Sequence, residues 1–349
     1  MYNEAELVHW MRNRDAMKLI PASVDIDLTN ICNQDCFYCN SAVWREQAPV
    51  QKKSHNYIEL LDKLSTWRTH TPNSYGTLHT ITYPGGGEPT VLKGFEEVIE
   101  HTIDLRFLTS ITTNGSKLDK LFDMDVNKLK KIGWVGIDID AGDEDTYEKI
   151  RRSLVKGGLF YKVKDNAKTL VKMGVNVDLK ILLNQYNDNP EAIEQIFKYC
   201  KEVGARQLFF RPVILNHDSS NNGGEEIHII TKETLEFIES MSQKYAVKYK
   251  VNMSKYEPRN YKKCHQMYHF PVFCAEGGIY TCCENKGNPD FKIGSWLEGD
   301  FRDIWMEEKH NQIYESIDVT KCMPCRPNQA NINIQNIIND DTKIEALYK

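Results

Sequence analysis

Asp27-Leu28-Thr29-Asn30-Ile31-Cys32-Asn33-Gln34-Asp35-Cys36-Phe37-Tyr38-Cys39-Asn40 places three cysteines within eight residues, three residues separating the first pair and two the second. A turn that compact can aim three thiolates at one centre, but it supplies no fourth ligand. Structural zinc normally takes four protein ligands. An iron–sulfur cube needs one ligand per iron, usually cysteine. On a cube, three thiolates leave one iron open to a small molecule. A zinc knuckle at this loop requires a fourth ligand from elsewhere in the chain.

Upstream, Ser23–Leu28 alternates polar and apolar residues with period two, a strand signal. It delivers the cysteines at its C-terminal end, where α/β barrels place their chemistry. Downstream the pattern repeats. A helix is expected over 55–66, and a strand over 78–83 runs into Pro84-Gly85-Gly86-Gly87-Glu88-Pro89. A helix over 94–103 and a strand over 107–112 lead to Thr113-Asn114-Gly115-Ser116. Then come a strand over 133–140, helices over 144–152 and 160–173, a strand over 175–183, a helix over 190–203 and a strand over 206–213. Six strands alternating with helices predict an α/β fold with a parallel sheet.

The remainder is less regular. Residues 4–18 read as an amphipathic helix with Leu7, Trp10, Met11 and Met17 on one side, and 214–230 as a surface loop rich in Asn, Ser and Gly. A helix over 231–244 and a strand over 247–253 follow. The expected organisation is an N-terminal helix (1–21), a barrel (22–215), a linker with a helix and a strand (216–261), a cysteine-rich extension (262–330) and a polar tail (331–349).

The glycines at 85–87 let a ligand approach the backbone closely. A phosphate loop would carry a lysine and then serine or threonine; Glu88 and Pro89 stand there instead, and an acid suits a cationic group. Asn114-Gly115 also favours a turn. Asp138 and Asp140 flank Ile139 and share parity with Gly136, and one of them is expected to face the barrel interior. Capping the next helix would serve either carboxylate equally.

The cysteine loop, with Tyr38 as the aromatic of Cys-x-x-x-Cys-x-aromatic-Cys, resembles that of the radical S-adenosylmethionine (radical SAM) superfamily. Gly86-Gly87-Glu88-Pro89 is similar to that family's second motif, and the order is right. The resemblance implies an open, TIM-like partial barrel, (β/α)6, over roughly 22–215. It implies a [4Fe-4S] cluster on Cys32, Cys36 and Cys39 whose open iron chelates the methionine moiety of S-adenosylmethionine (SAM). An electron from the cluster would split the sulfonium into methionine and a 5′-deoxyadenosyl radical. Gly85, Gly86, Gly87 and Glu88 would hold the methionine amine, Thr113 and Asn114 would line the SAM site, and Asp138 or Asp140 would reach the ribose. Arg151, at the end of Asp143–Arg151, would lie near the SAM carboxylate; an ordinary ion pair on a solvated helix face is its other account. Lys180, Asn184 and Arg211 are further candidates for SAM or substrate.

Cys264, Cys274, Cys282, Cys283, Cys322 and Cys325 fall within about sixty residues. Together with Gly277 and the hairpin strand Gly278–Thr281, they resemble the C-terminal SPASM/twitch extension of radical SAM enzymes. On that pattern Cys264, Cys282, Cys322 and Cys325 hold an auxiliary [4Fe-4S] cluster. No cysteine follows Cys325, which matches the shorter twitch form. Zinc on the same four thiolates is the alternative, and Cys274 or Cys283 is a substitute for a neighbour. Cys200, Cys274 and Cys283 otherwise read as small buried hydrophobes, or as a hydrogen-atom donor of the kind found in radical epimerases.

Apolar content of 41%, charged content of 27% and a net charge of −5 describe an ordinary globular chain and disfavour nucleic acid as a partner. No apolar run approaches the ~20 residues of a membrane span, and the first fifteen residues lack a signal-peptide core. Ten cysteines at metal-ligand spacings point to reduced cytosol. The expected partners are a small-molecule or peptide substrate and a reductant such as flavodoxin or ferredoxin. The expected reaction is oxidation or rearrangement of a polyol or amino sugar with help from the auxiliary cluster, or cross-linking, oxidation or epimerisation of a peptide. About thirty residues precede the loop, too few for a leader-binding domain, so a peptide substrate would call for a separate leader-binding protein. From another class altogether, the same fold would serve as a non-catalytic iron–sulfur or zinc module.

Overall fold

The computed structural model describes residues 18–47, 50, 52–68, 74–215 and 226–340. In chain order, β1 (Lys18–Leu19) and β2 (Ser23–Ile26) precede the cysteine loop, and α1 (Ala42–Gln47) and α2 (Ser54–Ser65) follow it. Next are β3 (Ser74–Tyr75), β4 (Thr80–Tyr83), α3 (Phe95–Asp104), β5 (Leu108–Thr113), α4 (Val126–Leu129) and β6 (Ile132–Asp138). Then come α5 (Glu144–Arg151), α6 (Phe160–Lys172), β7 (Val177–Leu183), α7 (Pro190–Val203) and β8 (Gln207–Pro212). The chain continues with β9 (Ile214–Leu215), β10 (Glu226–Ile227), α8 (Lys232–Tyr245) and β11 (Tyr249–Val251). It closes with β12 (Val272–Phe273), β13 (Gly278–Tyr280), β14 (Lys292–Ser295), α9 (Glu308–Ser316) and α10 (Asn328–Ile338). The expected helix over 4–18 lies outside the described residues apart from Lys18, which is in β1.

Two compact units emerge. The larger comprises Asp27–Tyr57 and Thr82–Met253. Its sheet runs β11-β8-β7-β6-β5, with β4 beside β5, and the registered pairs are parallel. β11 ends the strand order with β8 as its one neighbour among the described strands, so the barrel is open. β-Branched and aliphatic runs such as VDLKILL in β7 suit a sheet covered on both faces. The covering helices show why. Phe160, Val163, Ala167 and Leu170 form one buried stripe of α6, and Ile193, Ile196, Phe197 and Cys200 one of α7. Asp143 caps α5 by accepting from Thr146 N (2.8 Å), and Asn189 with Pro190 opens α7.

Two expectations move. The 133–140 strand stops at Asp138, because Asp140 turns to a left-handed φ of 56°. The strand expected over 247–253, placed in a linker, instead pairs in parallel with β8 as β11.

The smaller unit comprises Met1–Ile26, Ile58–Ile81 and Ser254–Lys349. β2 pairs in parallel with β12, and β12, β13 and β14 form an antiparallel meander in which Ile279 faces Phe273 and Gly294. Trp67 packs edge-on against Phe301, ring centres 4.3 Å apart. α10 runs well into the stretch expected as a tail, and its Asn331 is fully buried. Among the described residues no helix is long and apolar enough to cross a membrane.

Candidate active site

Hydrogen bonds to two distant segments hold the cysteine loop. On one side Gly87 N donates to Thr29 O (2.7 Å) and Glu88 N to Ile31 O (2.9 Å). The contact is so close that a Cβ on Gly87 would stand 2.1 Å from Ile31 O. Gly85 has φ 88° and turns the chain towards this contact. The glycines at 85 and 87 therefore serve the loop itself, not only a ligand. On the other side Asp35 N donates to Arg152 O (3.0 Å), Phe37 N to Ile150 O (3.2 Å) and Leu154 N to Asn33 O (3.1 Å).

Side chains reinforce both seams. Asn33 accepts from Asn114 Nδ2 (2.8 Å) and donates to Ser116 Oγ (2.8 Å). Gln34 donates to Tyr147 OH (2.6 Å) and accepts from Arg151 Nε (3.0 Å). Neither Asn33 nor Gln34 stands out in the sequence, since the partners that give them meaning lie some eighty to 120 positions away.

Cys32, Cys36 and Cys39 open onto a cavity of about 260 Å³. Tyr38, Arg45, Gly85, Gly86, Gly87, Glu88, Thr113, Asn114, Asp138, Arg151, Lys180 and Arg211 line the same space. Burial pushes the Cys32 thiol above its ordinary range and the Cys36 thiol up to about 12. Metal ligation needs the thiolate, so a metal bound here would release these protons. Arg45 Nη1 lies 3.6 Å from Cys39 Sγ, a donor on one sulfur that the sequence did not signal. Among the described residues no three His, Cys, Asp or Glu side chains gather around one point. The fit of three thiolates to a cluster therefore rests on their shared cavity and their hydrogen bonds rather than on a preformed ion cage.

Each acid has a definite place. Glu88 is buried, and its carboxylate accepts from Thr90 N (3.1 Å), Thr113 Oγ1 (2.6 Å) and Asn114 N (2.7 Å). It staples the end of β5 to the glycine turn, and burial still raises its pKa despite those donors. Asp138 lines the cavity and pairs with Lys180 (3.1 Å). Asp140 does not: it is fully buried, accepts from Leu182 N (2.6 Å), and pairs with Arg151 Nη1 (2.9 Å) and the Tyr38 hydroxyl. The strand ends at Asp138, so the pleat no longer sets the direction of Asp140. Arg151 is 5% exposed, so the solvated ion pair is excluded. Lys180 and Arg211 reach the cavity. Asn184 is buried and bonds locally to Leu182 O and Asn187.

In the smaller unit, burial pushes Cys264 and Cys282 up to about 12 and also raises Cys322 and Cys325. Cys264 is within electrostatic reach of Cys322 and Cys325, and Cys282 of Cys264. Asn331 Nδ2 lies 3.5 Å from Cys264 Sγ and Asn285 Nδ2 3.4 Å from Cys282 Sγ. Cys283 instead faces Arg326, itself 2.7 Å from Asp25, and Cys274 is fully buried where β12 turns into β13.

With this geometry in hand, the comparisons are specific. A family model described as the radical SAM superfamily matches residues 26–200. The chain is a radical SAM protein. Radical SAM proteins bind a [4Fe-4S] cluster and SAM. The chain is 23% identical to the PqqA peptide cyclase of Granulibacter bethesdensis over 314 residues, 88% of this chain and 79% of that one. It is 24% identical to a protein named Probable GTP 3′,8-cyclase from Saccharolobus islandicus over 315 residues, 81% of this chain and 89% of that one. Among solved structures, Streptococcus suis SuiB bound to S-adenosylmethionine superposes with a TM-score of 0.68 at 14% identity, covering 96% of this chain and 78% of SuiB. SuiB bound to its precursor peptide SuiA gives 0.64 at 15% identity, with 89% and 69% covered. These likenesses bear out the open α/β barrel fold of the radical SAM family.

Proposed function

We propose that this chain is a peptide-modifying radical SAM enzyme that removes hydrogen from a C–H bond of its substrate and leaves an oxidised, cross-linked or rearranged product. The observation that carries the chemistry is the single cavity shared by the three loop thiols, the Gly85–Gly87 turn and Asp138. When bound, the cluster and SAM supply a 5′-deoxyadenosyl radical after one-electron reduction. The protein's part is positioning and exclusion of water. Cys32, Cys36 and Cys39 would hold the cluster, with the Arg45 N–H on the Cys39 sulfur. Gly86 would offer backbone to the SAM amine, and Glu88 fixes Thr113 and Asn114 in the same cavity wall. Asp138 is the acid available to ribose hydroxyls, oriented by Lys180. Arg151 supplies positive charge to the cavity wall while Asp140 holds it.

The peptide reading is supported by the names of two similar proteins, a peptide cyclase and an enzyme bound to its precursor peptide. A nucleotide or other small molecule is the second reading, favoured by the equally long likeness to GTP 3′,8-cyclases. Cys264, Cys282, Cys322 and Cys325 would hold an auxiliary [4Fe-4S] cluster able to accept an electron.

The test is iron and sulfide per chain after anaerobic reconstitution, with 5′-deoxyadenosine measured under dithionite. About eight irons are expected, falling to about four in a Cys32/Cys36/Cys39→Ala variant that no longer cleaves SAM. About four irons falling to none would remove the auxiliary cluster. To separate the substrate readings, unmodified peptides and nucleoside triphosphates are each offered to the enzyme. A peptide product short of two hydrogens, or one isomeric with the substrate, supports the first reading, and a nucleotide product overturns it.

A further inference from the structure

The face of the larger unit's sheet that borders the cysteine cavity is not packed as a core. Asp138 is registered with Lys180, Lys180 with Phe209 and Phe209 with Lys250, one row across β6, β7, β8 and β11. Alternate residues of a strand share a face, which adds Trp134, Asp178 and Arg211. Barrel interiors are ordinarily filled by layers of branched aliphatic side chains. Here charged and aromatic side chains stand in their place, and a second cavity of about 140 Å³ lies among Trp134, Asp178, Lys180, Phe209, Arg211 and Lys250. Lys180, Phe209 and Arg211 also line the first cavity, so the two spaces share a wall.

Positive charge dominates the second cavity. Asp178, the acid of its lining, accepts from Arg206 through bonds of 2.8 and 2.6 Å and from Gln207 Nε2 at 3.0 Å. Asp138, in the first cavity, pairs with Lys180. Arg211 and Lys250 bring positive charge beyond those pairs, and Lys250, which is exposed, stands on β11 at the end of the strand order. The Arg211 guanidinium lies over the Phe209 ring, 4.7 Å from its centre. A Cβ on Gly136 would stand 2.0 Å from Trp134 Cζ3 and 2.8 Å from Lys180 Cδ, so a glycine there is what lets the indole lie back along β6 beside the lysine stem.

We propose that this second cavity takes the carboxylate of an acidic side chain in the substrate peptide. The proposal rests on the peptide reading and names the group by which the peptide is anchored. The guanidinium fork of Arg211 matches the edge of a carboxylate, and Lys180 and Lys250 each add a point charge. Trp134 offers an apolar wall to the carbon stem. Pockets that enclose a whole ligand run to about 300–1,000 Å³. At about 140 Å³ this one suits a side chain rather than a nucleoside triphosphate. Because Lys180 and Arg211 belong to both spaces, a carboxylate held by them anchors the peptide beside the cavity onto which the three loop thiols open. The role is positioning, with no bond made or broken.

The test uses the full-length, cluster-loaded protein with saturating SAM, so that the site for the methionine carboxylate is filled. The probes are N-acetylglutamate α-amide and its neutral isostere N-acetylglutamine α-amide, with inorganic phosphate as competitor. Binding is measured by equilibrium dialysis in wild type, R211Q and K250Q, the second a substitution on an exposed side chain that keeps the fold even if the first does not. Wild type should prefer the glutamate probe by about tenfold or more, and K250Q should cut that preference by about threefold or more. Equal binding of the two probes, or a preference that survives in both variants, overturns the proposal. So does displacement of the glutamate probe by phosphate at a tenth of the probe's own concentration, which would reassign the cavity to a phosphate group. A modified peptide product from a wild type without acid preference would sink the proposal alone. A nucleotide product would sink the peptide reading, and the probe preference would still decide whether the cavity takes a carboxylate.

Discussion

Gly87 shows how one hydrogen atom decides a site. Its Cα faces Ile31 O so closely that Gly87→Ala must push the glycine turn off the cysteine loop. Overpacking costs about 1–3 kcal/mol, occasionally more. The expected result is a lowered urea midpoint in the metal-free protein and poor iron uptake. Asp140→Asn acts through charge. It leaves the Arg151 guanidinium buried without its counter-ion, which costs about 3–5 kcal/mol, read from the same titration with an unchanged slope. Glu88 adds a pH signature. Burial raises its pKa in the folded state, so the folded protein binds this proton more readily than the unfolded chain. Its contribution is fully present below the unfolded value and is lost as pH rises through the folded value. Glu88→Gln lacks that contribution and also puts an amide against the donor Asn114 N, at about 1–3 kcal/mol. The stability gap between wild type and variant should widen as pH falls towards 4.5. A gap that narrows on acidification would contradict the assignment.

At the scale of elements, the end of β5 and the cysteine loop are joined by the Asn33–Asn114 pair. A double-mutant cycle with Asn33→Ala and Asn114→Ala should give a coupling of about 1 kcal/mol; additive losses would mean that the two segments are held by backbone alone. The elements were legible in the sequence because strand and helix periods alternate cleanly from Ser23 to Pro212. So was much of the cavity wall, since the cysteine loop, the glycine turn, Thr113-Asn114 and Asp138 each end or follow a strand. What was hidden depends on residues meeting across the sheet. Asn33 and Gln34 are unremarkable polar residues until the end of β5 and α5 bring their partners. Asp140 was read by parity, but a left-handed residue has left the strand and its side chain no longer follows the pleat. The run at 247–253 was recognised as a strand; its place beside β8 was not, because strand order is not written locally.

Taken whole, the chain has two groups of cysteines in two units, and burial raises Cys32 and Cys36 in one and Cys264, Cys282, Cys322 and Cys325 in the other. Because hydrogen bonds already shape the first loop, stripping metal with a chelator should leave far-ultraviolet circular dichroism nearly unchanged and allow iron to be restored without refolding. Collapse of the signal on chelation would show that metal, not the seams at Gly87 and Arg152, holds the loop.

Those seams also set a schedule for synthesis. Cys32, Cys36 and Cys39 are made before the backbone segment that completes their loop, which ends at Leu154, more than a hundred residues later. At cellular rates of elongation that interval is roughly ten seconds. During it the three thiols ride on an unfinished chain, open to oxidants and stray metals. The most vulnerable moment of this protein's life is thus its translation, and exposure to air should lower the yield of newly made, cluster-competent molecules before it harms those already folded.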